Sequence, residues 1–263
     1  MRMHLYRRLF AANRWLFRRA LNGLGFDNWR SLDASGEAWV VREVLRRVWG
    51  AALAKPVCLD VGAHTGEYAE LLLSQFPQAQ VHAFEPHPVT HGLLRRAVGD
   101  RVSCHAEALG AEAGEFELFD RKKCDGSVRA SLSRAALESV QQEELVAHRV
   151  QVSTVDRFLA EQGMERVDLL KIDTEGFEMD VLNGAAQALS EGRVRVIQFE
   201  FNQLHIGRRQ FLADFMARLP DHRLYRILPD GLISLAKLHP FEREIFAFQN
   251  ILAVPAETPD LWP

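Results

Sequence analysis

Thirteen residues, Pro56 to Tyr68 (Pro-Val-Cys-Leu-Asp-Val-Gly-Ala-His-Thr-Gly-Glu-Tyr), constrain the fold of this chain more than any others. The apolar run Val57 to Leu59, with Val61, reads as a strand buried on both faces. Asp60 closes it, Gly62 to Gly66 make a turn of small residues, and Tyr68, Leu71, Leu72 and Phe76 take up helical spacing. Strand, glycine turn, helix is where an open α/β sheet lets a ligand approach the backbone closely. A second apolar run, Gln80-Val-His-Ala-Phe, ends in Glu85, 19 positions after Gly66. That is the separation at which a second strand presents a carboxylate to a ribose diol.

The turn discriminates between nucleotides. A dinucleotide fingerprint needs a middle glycine and seats a pyrophosphate on the helix N-terminus, but Ala63 and His64 stand at that place. Asp60 at the strand end would repel a pyrophosphate and suits a cation such as the ammonium of a methionine moiety. Asp-x-Gly-x-x-x-Gly followed by Glu85 therefore points to S-adenosylmethionine (SAM), with Asp60, Gly62, Ala63, His64, Gly66 and Glu85 as its neighbours. The third strand, near Val102 to His105, is followed by Glu107 and Ala108, which are expected beside the adenine.

A second acidic turn lies at Val167-Asp-Leu-Leu-Lys-Ile-Asp-Thr-Glu-Gly-Phe-Glu. Asp173 ends a strand, where open-sheet sites lie, and Thr174-Glu175-Gly176 leads into a helix carrying Glu178. The helix dipole accounts for Glu178 but not for Asp173. Val194 to Phe199 is a fifth strand, ending at Glu200 with Asn202 and His205 just beyond. Asp173, Glu175 and His205 are the candidate catalytic groups. Asp173, Glu175 and Glu200 could also gather a divalent ion, but no His-rich ligand spacing supports one and no metal is assigned.

Elsewhere the chain reads as follows. Ser31 to Trp49 is a helix, Glu115 to Phe119 a strand, and Lys122, Lys123, Ser127 and Ser131 are expected substrate contacts. Thr154 caps a helix. Arg223 to Leu228, a turn at Pro229-Asp-Gly, and Glu244 to Val254 close the sheet as an edge hairpin. Repeated strand and helix make a doubly wound α/β sheet with right-handed crossovers. The expected division is a helical extension over 1–50, a SAM-dependent domain over 51–256 and a tail over 257–263.

Composition bounds the partners. With 263 residues, 48% of them hydrophobic, a chain of this size class buries roughly 75% of its unfolded surface. A net charge of −3 gives no general attraction to nucleic acid. Cys58, Cys104 and Cys124 lack a Cys-x-x-Cys pair, which speaks for reduced thiols. No apolar run reaches the ~18 residues of a membrane span and no signal peptide is apparent, so a cytoplasmic protein is expected. Arg2, Arg7, Arg8, Arg14, Arg18, Arg19 and Arg30 occur with no acid before Asp27. Leu5, Leu9, Trp15, Leu16, Phe17 and Leu21 are interleaved with them. Such a helix can lie peripherally on anionic lipid; the simpler expectation is a helix packed on the domain, or over its active-site mouth, with its arginines in water.

Four pieces, Leu59-Asp-Val-Gly-Ala-His-Thr-Gly, Ala83-Phe-Glu-Pro, Val155-Asp-Arg-Phe-Leu and Leu170-Lys-Ile-Asp-Thr-Glu-Gly-Phe-Glu, resemble the FkbM-type SAM-dependent methyltransferases. They fall in order over about Val57 to Phe199, and the lysine-to-glutamate block is the specific one. The resemblance implies a Rossmann-like class I methyltransferase fold, with a mostly parallel seven-stranded sheet and helices on both faces. It also implies O-methylation of a small molecule, often a sugar or a glycan or lipid-linked glycan precursor. A non-sugar natural product is the alternative acceptor. A SAM-binding regulatory or scaffolding module is the rival outside enzymology, against which the acids after the fourth strand argue. An oxidoreductase is disfavoured by the missing glycine and the lack of a Tyr-x-x-x-Lys pair.

Overall fold

The computed structural model describes residues 2–50, 53–121, 130–140 and 144–261; the side chains of 2–8, 136, 139 and 140 are also left undescribed. Its strands are β1 (Val57–Val61), β2 (Gln80–Phe84), β3 (Ser103–His105), β4 (Glu107–Leu109), β5 (Gly114–Arg121), β6 (Leu145–Ser153), β7 (Val167–Ile172), β8 (Val194–Phe201), β9 (His222–Leu228), β10 (Gly231–Ser234) and β11 (Gln249–Pro255). Eight form one sheet in the order β10-β9-β11-β8-β7-β1-β2-β3, and β4-β6-β5 form a second. β3, β2, β1, β7 and β8 run parallel, while β11, β9 and β10 are antiparallel to their neighbours. The sheet is thus the expected class I α/β sheet with an additional edge strand.

Both faces of the central strands are dry, which is why β7 reads as an unbroken buried run. Leu59, Val61, Leu170, Ile172 and Phe199 pack under the helices Val155–Glu161, Glu178–Asn183 and Leu212–Arg218. On the opposite face Cys58, Leu169, Val196 and Leu252 pack with Tyr68, Leu72, Val40, Val44, Leu45 and Trp49. The last four belong to a helical run, Glu37–Trp39, Val40–Val44 and Leu45–Trp49, whose middle turn is π-helical. Its helix begins at Glu37 and not at Ser31, because the chain first turns through Gly36 at φ 83°. The Trp49 indole donates to the Asp168 carbonyl at 3.2 Å, so this run is part of the core.

Three local expectations are revised. The tight turn at 229–230 joins β9 to β10, and β11 inserts between β9 and β8; the closing hairpin is therefore β9–β10. Glu107 and Ala108 are not a loop after β3 but lie in β4, paired with β6. The N-terminal helix α1 (Arg2–Gly23) does not pack on the domain over residues 9–20, which are all exposed. No helix among the described residues is long and apolar enough to cross a membrane.

Candidate active site

Strand register assembles the site. Asp60 of β1 pairs with Lys171 of β7, and Lys171 pairs with Gln198 of β8, so their side chains form one polar row on one face of the sheet. Glu200, two residues beyond Gln198, continues it. The helical run from Glu37 covers this row. Gln198 Nε2 donates to Glu37 Oε1 at 2.9 Å, Tyr68 Oη donates to Gln198 Oε1 at 3.0 Å, and Ser35 Oγ donates to Glu37 Oε2 at 2.8 Å. Lys171 Nζ donates to Asp173 Oδ2 at 2.8 Å.

A cavity of about 580 Å³ opens over this row, within the size range of ligand sites. Asp60, Gly62, Ala63, His64, Glu85, Ala108, Asp173, Glu175 and Glu200 line it, as do Glu37, Tyr68 and Lys171. Gly62 sits at φ +82°, and a Cβ there would lie 1.8 Å from the Asp173 carbonyl oxygen. The β1 and β7 turns therefore touch backbone to backbone, which only glycine permits. Gly66, at φ +93°, precedes the helix Glu67–Gln75. Glu85 accepts the His64 N–H at 3.0 Å and the His87 N–H at 2.9 Å, which clips the turn to the end of β2.

The electrostatics favour a cation. Asp60 is fully buried and neither carboxylate oxygen has a hydrogen-bond partner. Burial raises its pKa to about 6; Lys171 lowers it, while Asp173 and Glu37 raise it. Burial likewise pushes Glu85 to about 7 against its two backbone donors. For Lys171 burial pulls downward, but Asp173, Glu37 and Asp60 outweigh it and the ammonium is held charged. A buried carboxylate without partners is costly, and an ammonium or sulfonium in the cavity would relieve it. This set can therefore hold SAM.

Asp173, Glu175 and Glu200 can each direct a carboxylate oxygen to within 4.8 Å of the others. Burial, with Asp173, Glu175 and Glu178 nearby, raises the Glu200 pKa well above the usual range. Glu175 holds φ 53°, and its carbonyl accepts the buried Ser131 hydroxyl at 2.7 Å. Ser131, expected to face substrate, instead fastens this turn to the β5–β6 insert; Lys122, Lys123 and Ser127 fall outside the described residues.

Two candidates are moved. His205 is fully buried, its Nε2 is 2.9 Å from Glu178 Oε2, and its Nδ1 is 3.2 Å from the Asn202 backbone nitrogen. Glu178 in turn accepts the Thr174 and Gly176 N–H groups, so His205 braces the acidic turn from beneath and does not line the cavity. Glu107 faces a separate groove with Arg157 and Glu161, because its strand neighbour Ala108 takes the inward position. Lys171, Gln198, Tyr68 and Glu37 went unassigned from the sequence. A lysine and a glutamine inside apolar strands were the available signal for two of them; nothing local marked Glu37.

The methyltransferase FkbM domain model matches residues 60–227. Among curated proteins the chain is 27% identical over 188 residues to the 2-O-methyltransferase NoeI of Sinorhizobium fredii, covering 67% of this chain and 76% of that protein. It is 32% identical over 159 residues to the 31-O-demethyl-FK506 methyltransferase FkbM of Streptomyces tacrolimicus, covering 50% and 60%. With the hexuronic acid methyltransferase AglP of Haloferax volcanii it shares 26% over 186 residues, covering 68% and 66%. Among solved structures, the plantazolicin methyltransferase BpumL in complex with SAH is similar at TM-score 0.46 and 9% identity, covering 86% of each chain. The matched family domain begins at the unpartnered Asp60 and spans the β1 turn, Glu85, the acidic turn and Glu200; the chain belongs to the FkbM family of SAM-dependent methyltransferases.

Proposed function

We propose that this enzyme methylates a hydroxyl of a sugar, or of a glycan or lipid-linked glycan precursor. The observation that carries this reading is the trio Asp173, Glu175 and Glu200, held within 4.8 Å on the cavity wall beyond the β1 turn. Neighbouring carboxylates accept hydrogen bonds from hydroxyls, and a polyol offers several at that spacing. The NoeI and FkbM relatives are named for O-methylation, which supports a hydroxyl acceptor, and AglP for a hexuronic acid, which supports a sugar.

In this reading Asp60 and the Gly62–Gly66 backbone hold the methionine moiety, Glu85 the ribose diol, and Ala108 the adenine edge. Bound SAM supplies an electrophilic methyl group on a sulfonium. Asp173, oriented by Lys171, sits where it can steady the cationic end of the cofactor and the incoming hydroxyl. Glu175 is the general base. With SAM held there, its methyl group would be the electrophile for the hydroxyl oxygen, the thioether would be the leaving group, and Glu175 would take the hydroxyl proton. Alignment of the two reactants can contribute ~7–11 kcal/mol, and the base about 10²–10⁴-fold.

The test uses purified enzyme with SAM and a panel of free sugars, sugar nucleotides and lipid-linked sugars, read by mass spectrometry for one added methylene. Glu175→Gln should lower turnover by about 10²–10⁴-fold with little change in SAM affinity. Near-normal turnover would remove Glu175 as the base, and methylation confined to non-sugar acceptors would overturn the substrate class.

A further inference from the structure

Helix α1 has a divided surface. Leu9 and Leu16, and Phe10 and Phe17, are seven residues apart and share one side with Asn13 and Ala20. Arg14 and Arg18, four apart, share the other with Arg19. Phe10 is 65% exposed and Phe17 58%, too much to be explained by packing on this chain. Trp15 lies among the arginines, with the Arg19 guanidinium 5.4 Å from its ring centre. The whole helix carries no acid, and none occurs before Asp27.

We propose that α1 docks this enzyme on an anionic lipid bilayer, lying in the interface with its Phe and Leu side among the acyl chains. The apolar side alone would suit many partners. The charge selects one: arginines flanking an apolar face, with no compensating carboxylate, match a surface that is apolar inside and uniformly negative outside. The helix lies on the membrane and does not span it, since it is too charged to cross. Arginine stems reach from the flanks to the headgroups, and Trp15 has the amphipathic ring that favours the same level.

The base of α1 is built into the catalytic domain. Phe26 is fully buried under the Arg226 guanidinium, 3.9 Å from its ring centre. Arg226 also donates to Gln249 Oε1 at 2.7 Å and to the Glu242 carbonyl at 2.9 Å. Asp27, Trp29, Arg30 and Ser31 then line the cavity. The four peptide steps from Gly23 to Asp27 span at most ~14 Å, so a docked α1 keeps the cavity mouth close to the bilayer. This proposal stands whether or not the acceptor is a sugar.

Flotation of the full chain with phosphatidylcholine vesicles, and with vesicles containing phosphatidylglycerol, tests it. The expected result is partition onto the anionic vesicles only, weakened by raised salt. R14A/R18A/R19A should reduce partition by about fivefold per arginine, the equivalent of about 1 kcal/mol each. F10S/F17S should abolish it, and calorimetry with SAM should give wild-type affinity for both variants, showing that they fold. Absence of vesicle binding, equal binding to neutral vesicles, or partition unaffected by F10S/F17S would each overturn the proposal. So would a dimer that F10S/F17S dissociates in a protein that does not float, which would assign the face to a second copy.

Discussion

Asp60→Asn is the most informative single change, because structure predicts opposite effects on stability and on ligand affinity. The carboxylate is fully buried and unpartnered, and its pKa rises from 3.8 to about 6. At 1.36 kcal/mol per tenfold, that rise is about 3 kcal/mol of disfavour for the charged form. An acid whose folded pKa is raised gives its full stability below the unfolded value and loses it as pH climbs through the folded one. The ligand-free wild type should therefore lose about 3 kcal/mol from this group between about pH 4 and 7, and the asparagine variant should not. Urea unfolding across that range, variant against wild type, isolates the charge, since any fixed cost of the amide is independent of pH. SAM binding should move the other way. Loss of a charge-assisted bond of about 1.5–3 kcal/mol predicts affinity about 10- to 150-fold weaker at pH 7.5. Parallel stability profiles together with unchanged SAM affinity would refute the argument that Asp60 waits for a cation.

Three further outcomes follow from the same geometry. Wild-type SAM affinity should fall as pH drops through about 7 and then about 6, as Glu85 and Asp60 take up protons; calorimetry over about pH 5–8, one pH unit beyond each value, checks this, and Glu85→Gln should flatten the upper step. His205→Ala breaks a fully buried pair and should cost about 3–5 kcal/mol in urea unfolding, while SAM affinity well below the melting temperature stays near wild type. Gly62→Ala places a methyl 1.8 Å from the Asp173 carbonyl, so the two turns must part; SAM binding should be lost, and a wild-type affinity would show that the turns adapt.

The sheet was legible because its strands announce themselves. Val57 to Val61, Gln80 to Phe84 and Val167 to Ile172 are largely apolar runs with an acid near the end of the run or just after it, and each became a parallel strand. The Thr154 cap was legible for a local reason as well: its hydroxyl accepts the Arg157 N–H. What stayed hidden depends on distance in sequence. Glu37 reaches Gln198 across 161 positions, and no window of the chain contains both. His205 looked like a base because histidines near acids often are; only its burial beneath Glu178 shows that its acid is a structural partner. β10 is four residues long, and its pairing depends on β11 entering elsewhere, which no hydrophobic pattern encodes. α1 failed as a packed helix because amphipathic spacing reports two unlike sides and says nothing of what covers the apolar one.

The bond from Ser131 to the Glu175 carbonyl bears on how this enzyme can be re-engineered. Ser131 also pairs with Phe119 of β5 through both backbone groups, so it ties β5 to the acidic turn. A chimera that exchanged only the β5–β6 insert to change acceptor would leave Glu175, at φ 53°, without the hydroxyl that fixes its turn. Modularity here does not follow sequence continuity. The unit to transplant is β5 and Ser131 together with residues 173–178 and the His205 beneath them.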